Sequence, residues 1–120
     1  MKALFLQYAK CSTCVKAKKW LEANSIAYED RPIVEHPPTV EELKQWVAKS
    51  GLPLKKFFNT SGNLYKELHM KERFPLMREE EQLKLLSEHG MLIKRPLLVT
   101  EQVVLVGFKE ENYTNLCSQS

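Results

Sequence analysis

The motif Cys11-Ser12-Thr13-Cys14 is the part of this 120-residue chain best equipped to do chemistry. Two thiols three positions apart come within reach of each other at a helix start. A cysteine there faces free N–H groups and the positive end of the helix dipole, which favour an anion. The thiolate is that anion, so Cys11 is expected to titrate below the free-thiol value of about 8.5. Lys10 and Lys16 or Lys18 are candidates for added positive charge. Cys14, one turn in and less exposed, is placed to attack a mixed disulfide on Cys11. Cys11 is then the nucleophile and Cys14 the resolving thiol. A plain packing role is the alternative for Cys14, because unpaired cysteine is often buried. Ser12 and Thr13 are expected to cap the helix or to donate to an oxyanion.

Other residues carry weaker signals. A zinc site needs two further ligands at sensible spacing. His36, His69 and His89 are scattered and there is no second Cys-x-x-Cys, so no metal is expected. Arg95 before Pro96 is the best remaining anion-binding candidate, with a surface arginine ahead of a strand as the alternative. Lys94 reads as its solvated neighbour. Lys16, Lys18 and Lys19 read as a solvated face. Trp20 and Trp46 lie on apolar helix faces and read as core. Cys117 reads as a bystander thiol.

The elements that must position these groups follow from hydrophobic period. Residues 3–8 are short and apolar, a first strand. From Ser12 the period becomes 3.6, with Cys14, Ala17, Trp20 and Leu21 on one face, until Asn24-Ser25. Ile26 to Arg31 is a second strand, so the opening is a βαβ unit of about 30 residues, a context that strengthens the Cys-x-x-Cys signal. Glu35-His36-Pro37-Pro38 cannot continue a central strand. Thr39 with Glu42 fits a capping box for a helix bearing Val40, Leu43, Trp46 and Val47, which Gly51 ends. Residues 54–90 read as broken helix: a turn at 54–58, a polar loop at 59–63, a short helix at 64–68, a break at Pro75, then Glu79 to Glu88 ended by Gly90. Residues 97–100 and 103–106 form a hairpin around Glu101-Gln102, a poor type I′ pair. A last helix covers Lys109 to Leu116, and a polar tail runs from Cys117.

Composition bounds the rest. One domain, residues 1–120, is expected at roughly 100–200 residues per domain. Hydrophobic residues at 43% and charged residues at 28% are ordinary for a globular chain. A net charge of +3 is too weak an excess to imply nucleic acid. Three cysteines exclude a disulfide-stapled scaffold and leave one thiol over. The opening Ala3-Leu4-Phe5-Leu6 is shorter than the roughly 7–15 apolar residues of a signal peptide, and no run approaches the roughly 18 of a membrane span. A cytoplasmic protein with no membrane partner is expected.

Cys11-Ser12-Thr13-Cys14-Val15-Lys16-Ala17-Lys18-Lys19-Trp20-Leu21-Glu22 resembles the start of the arsenate reductase (ArsC)/Spx-like proteins. Pro38-Thr39, Phe58-Asn59-Thr60-Ser61-Gly62, Leu92-Ile93-Lys94-Arg95-Pro96-Leu97-Leu98-Val99 and Val106-Gly107-Phe108 extend the resemblance over nearly the whole chain. It implies an α/β, thioredoxin-like fold, βαβ…ββα with a mixed four-stranded sheet, and a helical insertion at about 35–90. It implies a cis Arg95-Pro96 bond facing the reactive cysteine, which brings Pro96 into the candidate site. Arsenate reductases of this family surround the oxyanion with three arginines. Arg95 matches one; the second falls where this chain has Asn59, and the third near Val106-Gly107-Phe108, where it has no arginine. An arsenate dianion needs several strong donors, and one arginine fork with a helix N-terminus makes a weaker site. The resemblance therefore points to a thiol reductase linked to glutathione, glutaredoxin or thioredoxin, with no bound cofactor. Its other branch is the Spx regulators, which carry a Cys-x-x-Cys redox switch and bind RNA polymerase through a glycine near Gly51. For Gly51 a helix C-cap is the alternative.

Overall fold

The structure, a computed structural model, describes the backbone of residues 2–118 and the side chains of residues 3–116. It contains two compact units. One is built from the two chain ends, up to Pro32 and from Arg95 onward; the other is the helical segment Ile33–Lys94.

The first unit is a four-stranded mixed sheet. β1 (Lys2–Gln7) leads into α1 (Ser12–Ala23), and β2 (Ala27–Pro32) returns parallel to β1. After the helical segment come β3 (Leu97–Val99) and β4 (Val104–Val106), both antiparallel to their neighbours, and the last helix, Glu110–Ser118. The strand order is β2-β1-β3-β4, so the thioredoxin-like α/β expectation holds.

β1 is central, and its alternation is used on both faces. Ala3 and Phe5, level with Leu98 of β3, pack against Ala17 and Leu21 of α1 and against Tyr113 and Leu116 of the last helix. Leu6 and Leu97 are fully buried on the opposite face. β2 is an edge strand, and its Glu29, Asp30 and Arg31 suit an edge that must not recruit another chain. At the hairpin tip Thr100 compensates for the poor Glu101-Gln102 pair. Its Oγ1 accepts from the N–H groups of Gln102 and Val103 at 3.3 and 3.0 Å.

The second unit starts where expected. In α2 (Val40–Ser50) Thr39 Oγ1 accepts from Glu42 N–H at 3.1 Å, and Thr39 N–H donates to Glu42 at 2.9 Å. Leu43 and Trp46 form the buried stripe, and Gly51 closes the helix in the left-handed region at φ 71°. A 3-10 turn (Leu54–Phe57), α3 (Asn63–Glu67), α4 (Met70–Arg73), a second 3-10 turn (Phe74–Leu76) and α5 (Glu79–Glu88) follow. The stretch broken at Pro75 is more ordered than its sequence suggests. The buried Gln82 amide of α5 donates to the carbonyls of Phe74 and Met77 at 3.3 and 3.1 Å, which holds the turn. Gly90 opens a 3-10 turn (Gly90–Leu92) and is needed for close approach, because a Cβ there would collide with the Ile33 carbonyl. The helix Glu110–Ser118 is labelled α6; it takes in the backbone of Cys117, whose side chain, like residues 119 and 120, lies outside the described residues.

No helix among the described residues is long and apolar enough to cross a membrane.

Candidate functional site

The site lies in the sheet unit, where β1 gives way to α1. The chain leaves β1 at Gln7 and turns, with Cys11 N–H donating to Tyr8 O at 3.0 Å. Cys11 then takes an extended conformation (φ −90°, ψ 116°) and serves as the N-cap of α1. Its sulfur accepts from Cys14 N–H at 3.3 Å, as a serine or aspartate oxygen would at such a position. The capping expectation for Ser12 and Thr13 is thereby corrected. They occupy the first turn with exposed side chains, and the cap is the cysteine itself. Their N–H groups precede the helix ladder and remain directed toward the thiol end.

The other half comes from the far end of the chain. Arg95 and Pro96, joined by a cis peptide bond, lead into β3, the neighbour of β1. Pro96 is buried, and its carbonyl accepts from Gly107 N–H at 2.8 Å, which ties the turn to β4. Arg95 reaches the Cys11 sulfur as a hydrogen-bond donor. Its guanidinium lies over the Tyr8 ring, 5.5 Å from the centroid. Tyr8 escaped the sequence reading, and the one available signal was an aromatic residue at the strand end shortly before the motif.

These contacts set the two thiols apart. At the half-buried Cys11, burial alone would raise the pKa. Hydrogen bonds from the thiol and N–H of Cys14, and the charge and hydrogen bond of Arg95, outweigh it and hold Cys11 below the ordinary thiol value. Cys14 is 2% exposed. Burial, the hydrogen bond it gives to Cys11 and the negative charge of Cys11 push its pKa up to about 12, against a partly offsetting N–H from Tyr8. The lysines follow their reading as a solvated face rather than as added charge on the thiolate. Lys18 pairs with Asp30 at 3.4 Å, Lys10 and Lys16 are exposed, and the cation acting on the Cys11 thiolate is Arg95.

Both cysteines are free thiols. An acidic thiolate beside an arginine and a helix N-terminus can attack a disulfide sulfur or an electron-poor oxyanion centre. Cys14 N–H and the Arg95 fork would steady negative charge there. Near β4, Val106 pairs with Leu97, and Phe108 packs edge-on against Tyr113 at a centroid distance of 4.8 Å. Asn59 belongs to the helical unit, where its N–H donates to Leu92 O at 2.8 Å. Among the described residues no group of three or more His, Cys, Asp or Glu is arranged to hold a metal.

Comparison with known proteins places this geometry among relatives. A family model described as the ArsC family matches residues 6–116. The chain is 54% identical to YusI of Bacillus subtilis, an uncharacterised protein, over 94% of this chain and 96% of that one. It is 31% identical to the global transcriptional regulator Spx 2 of Bacillus anthracis, over 93% of this chain and 84% of the regulator. A crystal structure of an ArsC family related protein from Bacteroides fragilis, 62% identical, superposes with a TM-score of 0.92 over 97% of this chain and 98% of that one.

Proposed function

The chain belongs to the ArsC family, and on that premise we propose that it is a thiol–disulfide oxidoreductase. Cys11 attacks the substrate sulfur and Cys14 resolves the mixed disulfide. Arg95, the first-turn N–H groups of Ser12 and Thr13, and the surface beside Pro96 receive the anionic part of the substrate. The observation that carries this reading is the opposite displacement of two neighbouring thiols, Cys11 downward and Cys14 upward. A dithiol so split exposes one reactive thiolate at neutral pH and keeps the other protonated until the first has reacted. A small thiol such as glutathione, or a glutaredoxin or thioredoxin, is the reductant that returns the pair to the dithiol. The working compartment is a reducing cytoplasm.

Arsenate is a poor fit. Arg95 is the single arginine matching the family's set of three, and one fork supplies fewer of the donors that a dianion requires. Turnover of arsenate is expected to be weak or nil, while exchange with disulfides persists. Replacing Cys11 with Ser tests the core of the reading, and undiminished thiol exchange in that variant would sink it. The Cys14→Ser variant, incubated with cell extract, should trap the partner as a mixed disulfide on Cys11.

The 31% identity to Spx 2 supports a second reading, in which the same pair is a redox switch on a regulator that binds RNA polymerase. Gly51 is exposed, but its left-handed φ already accounts for glycine as the end of α2. Pull-down with polymerase under reducing and oxidising conditions separates the readings, and absence of binding in both states removes the second.

A further inference from the structure

Tyr113, on α6, is fully buried, yet its hydroxyl has no hydrogen-bond partner among the described residues. Leaving a buried hydroxyl without a partner is costly, so its retention calls for a reason. Its ring is held firmly, edge-on to Trp20 of α1 with centroids 5.4 Å apart and edge-on to Phe108 at 4.8 Å. It packs in one cluster with Ala17 and Leu21, which share the buried face of α1 with Cys14. Tyr113 thus packs against the buried face of α1 that also carries Cys14. Negative charge on Cys14 is felt at Tyr113, whose own pKa is pushed up first by burial and then by that charge, so the phenol keeps its proton and acts only as a donor.

We propose that Tyr113 is a positioning residue for the resolving step, its hydroxyl donating a hydrogen bond to the Cys14 thiolate once Cys11 is engaged in a mixed disulfide. The proposal rests on the oxidoreductase reading above. In the dithiol, Cys14 gives its proton in a hydrogen bond to the Cys11 thiolate and needs no other partner. When Cys11 becomes disulfide-bonded, that acceptor and its charge vanish, and Cys14 must ionise in a buried place. The groups that act on it are Cys11 on its own helix, Arg95 from the β3 side and the Tyr8 N–H at the end of β1, and its own charge acts in turn on Tyr113 of α6. The Tyr113 hydroxyl is a buried donor with no hydrogen-bond partner among the described residues. The step balances: the Cys14 thiolate attacks the Cys11 sulfur, the Cys11–Cys14 bond forms and the Cys11–substrate bond breaks. The substrate sulfur leaves as a thiolate and takes the proton that Cys14 released. The dithiol is oxidised by two electrons and the substrate disulfide is reduced by two.

Reaction of the reduced protein with 5,5′-dithiobis(2-nitrobenzoate) separates the stages. In a Cys117→Ser background, which removes the third thiol, a first equivalent of thionitrobenzoate reports attack by Cys11 and a second reports resolution by Cys14. In Tyr113→Phe the first phase should keep its rate and pH profile. The second should slow about tenfold, the loss expected for one hydrogen bond to a charged group, with its profile moved to higher pH. The thermal midpoint of Tyr113→Phe should stay level or rise, because the variant deletes only an unpartnered hydroxyl. If it falls instead, Tyr113→Leu provides the same comparison of second phase to first within one molecule. A second phase unchanged relative to the first in both variants overturns the proposal. Failure of the underlying reading looks different, since the second phase would then survive Cys14→Ser or be missing from the unsubstituted protein.

Discussion

The Arg95 guanidinium stacks over the ring of Tyr8, the residue whose carbonyl receives the Cys11 N–H. One aromatic side chain thus lies beneath the cation while its backbone shapes the turn that carries the thiolate. Arg95→Gln should raise the Cys11 pKa and slow its alkylation at pH 7 about tenfold, the effect of one pKa unit. Tyr8→Leu removes only the platform and should slow it about twofold to fivefold, as fits a cation–π contact of about 0.5–1 kcal/mol. Iodoacetamide rates across pH give both numbers, and equal rates in all three proteins would remove Arg95 from the account.

Cys14 makes stability depend on alkaline pH. Its folded pKa, up at about 12, exceeds that of an unfolded thiol. The stabilisation is therefore complete below the unfolded value and declines as pH rises from about 8.5 toward 12, by at most about 1.4 kcal/mol per pH unit. Chemical denaturation of the reduced protein at pH 7, 9 and 10 should show this decline. Cys14→Ala, though less stable throughout for want of packing, should show a flatter one. Parallel curves would contradict the assigned pKa.

The α2 capping box gives a prediction remote from the thiols. Thr39→Ala leaves the Glu42 N–H without its acceptor and should cost about 1 kcal/mol, or about 4 °C in thermal midpoint for a chain of this size. Thr39→Ser should recover most of the loss. The Cys11 alkylation rate should be unchanged in both.

Two glycines should respond unequally to alanine. At Gly51 nothing lies within 4 Å of an added Cβ, so only the left-handed backbone resists, at about 1 kcal/mol. At Gly90 the Cβ meets the Ile33 carbonyl, which is backbone and yields poorly, so a loss of at least about 2 kcal/mol is expected. Urea midpoints of the two variants test the order, and similar losses would refute it.

Much of this architecture was readable because its signals are local. Thr39 and Glu42 announce α2 within four residues, and the change from period 2 to period 3.6 around Cys11 marks the strand-to-helix turn. Arg95 was readable as a candidate, but its place opposite Cys11 came through family resemblance, since the pairing of β1 with β3 has no local signature. Other parts were hidden for a similar reason. The order around Pro75 depends on an amide from Gln82 to carbonyls several residues earlier. Tyr8 and Tyr113 acquire their roles only when β3 and α6 are packed in place, and the pairing of Lys18 with Asp30 had to wait for β2 to bring Asp30 alongside.

The pairing of Leu6 with Leu97 sets β1 beside β3 across most of the chain length. The acidity of Cys11 is in part a product of that closure, because Arg95 arrives only when it has occurred. Thiol reactivity is therefore a built-in reporter of long-range assembly, short of its full value in a chain whose first βαβ unit has formed alone. Loop-closure entropy grows only with the logarithm of length, so the segment between these strands can lengthen or shorten in related chains at little thermodynamic cost to the pair it brings together.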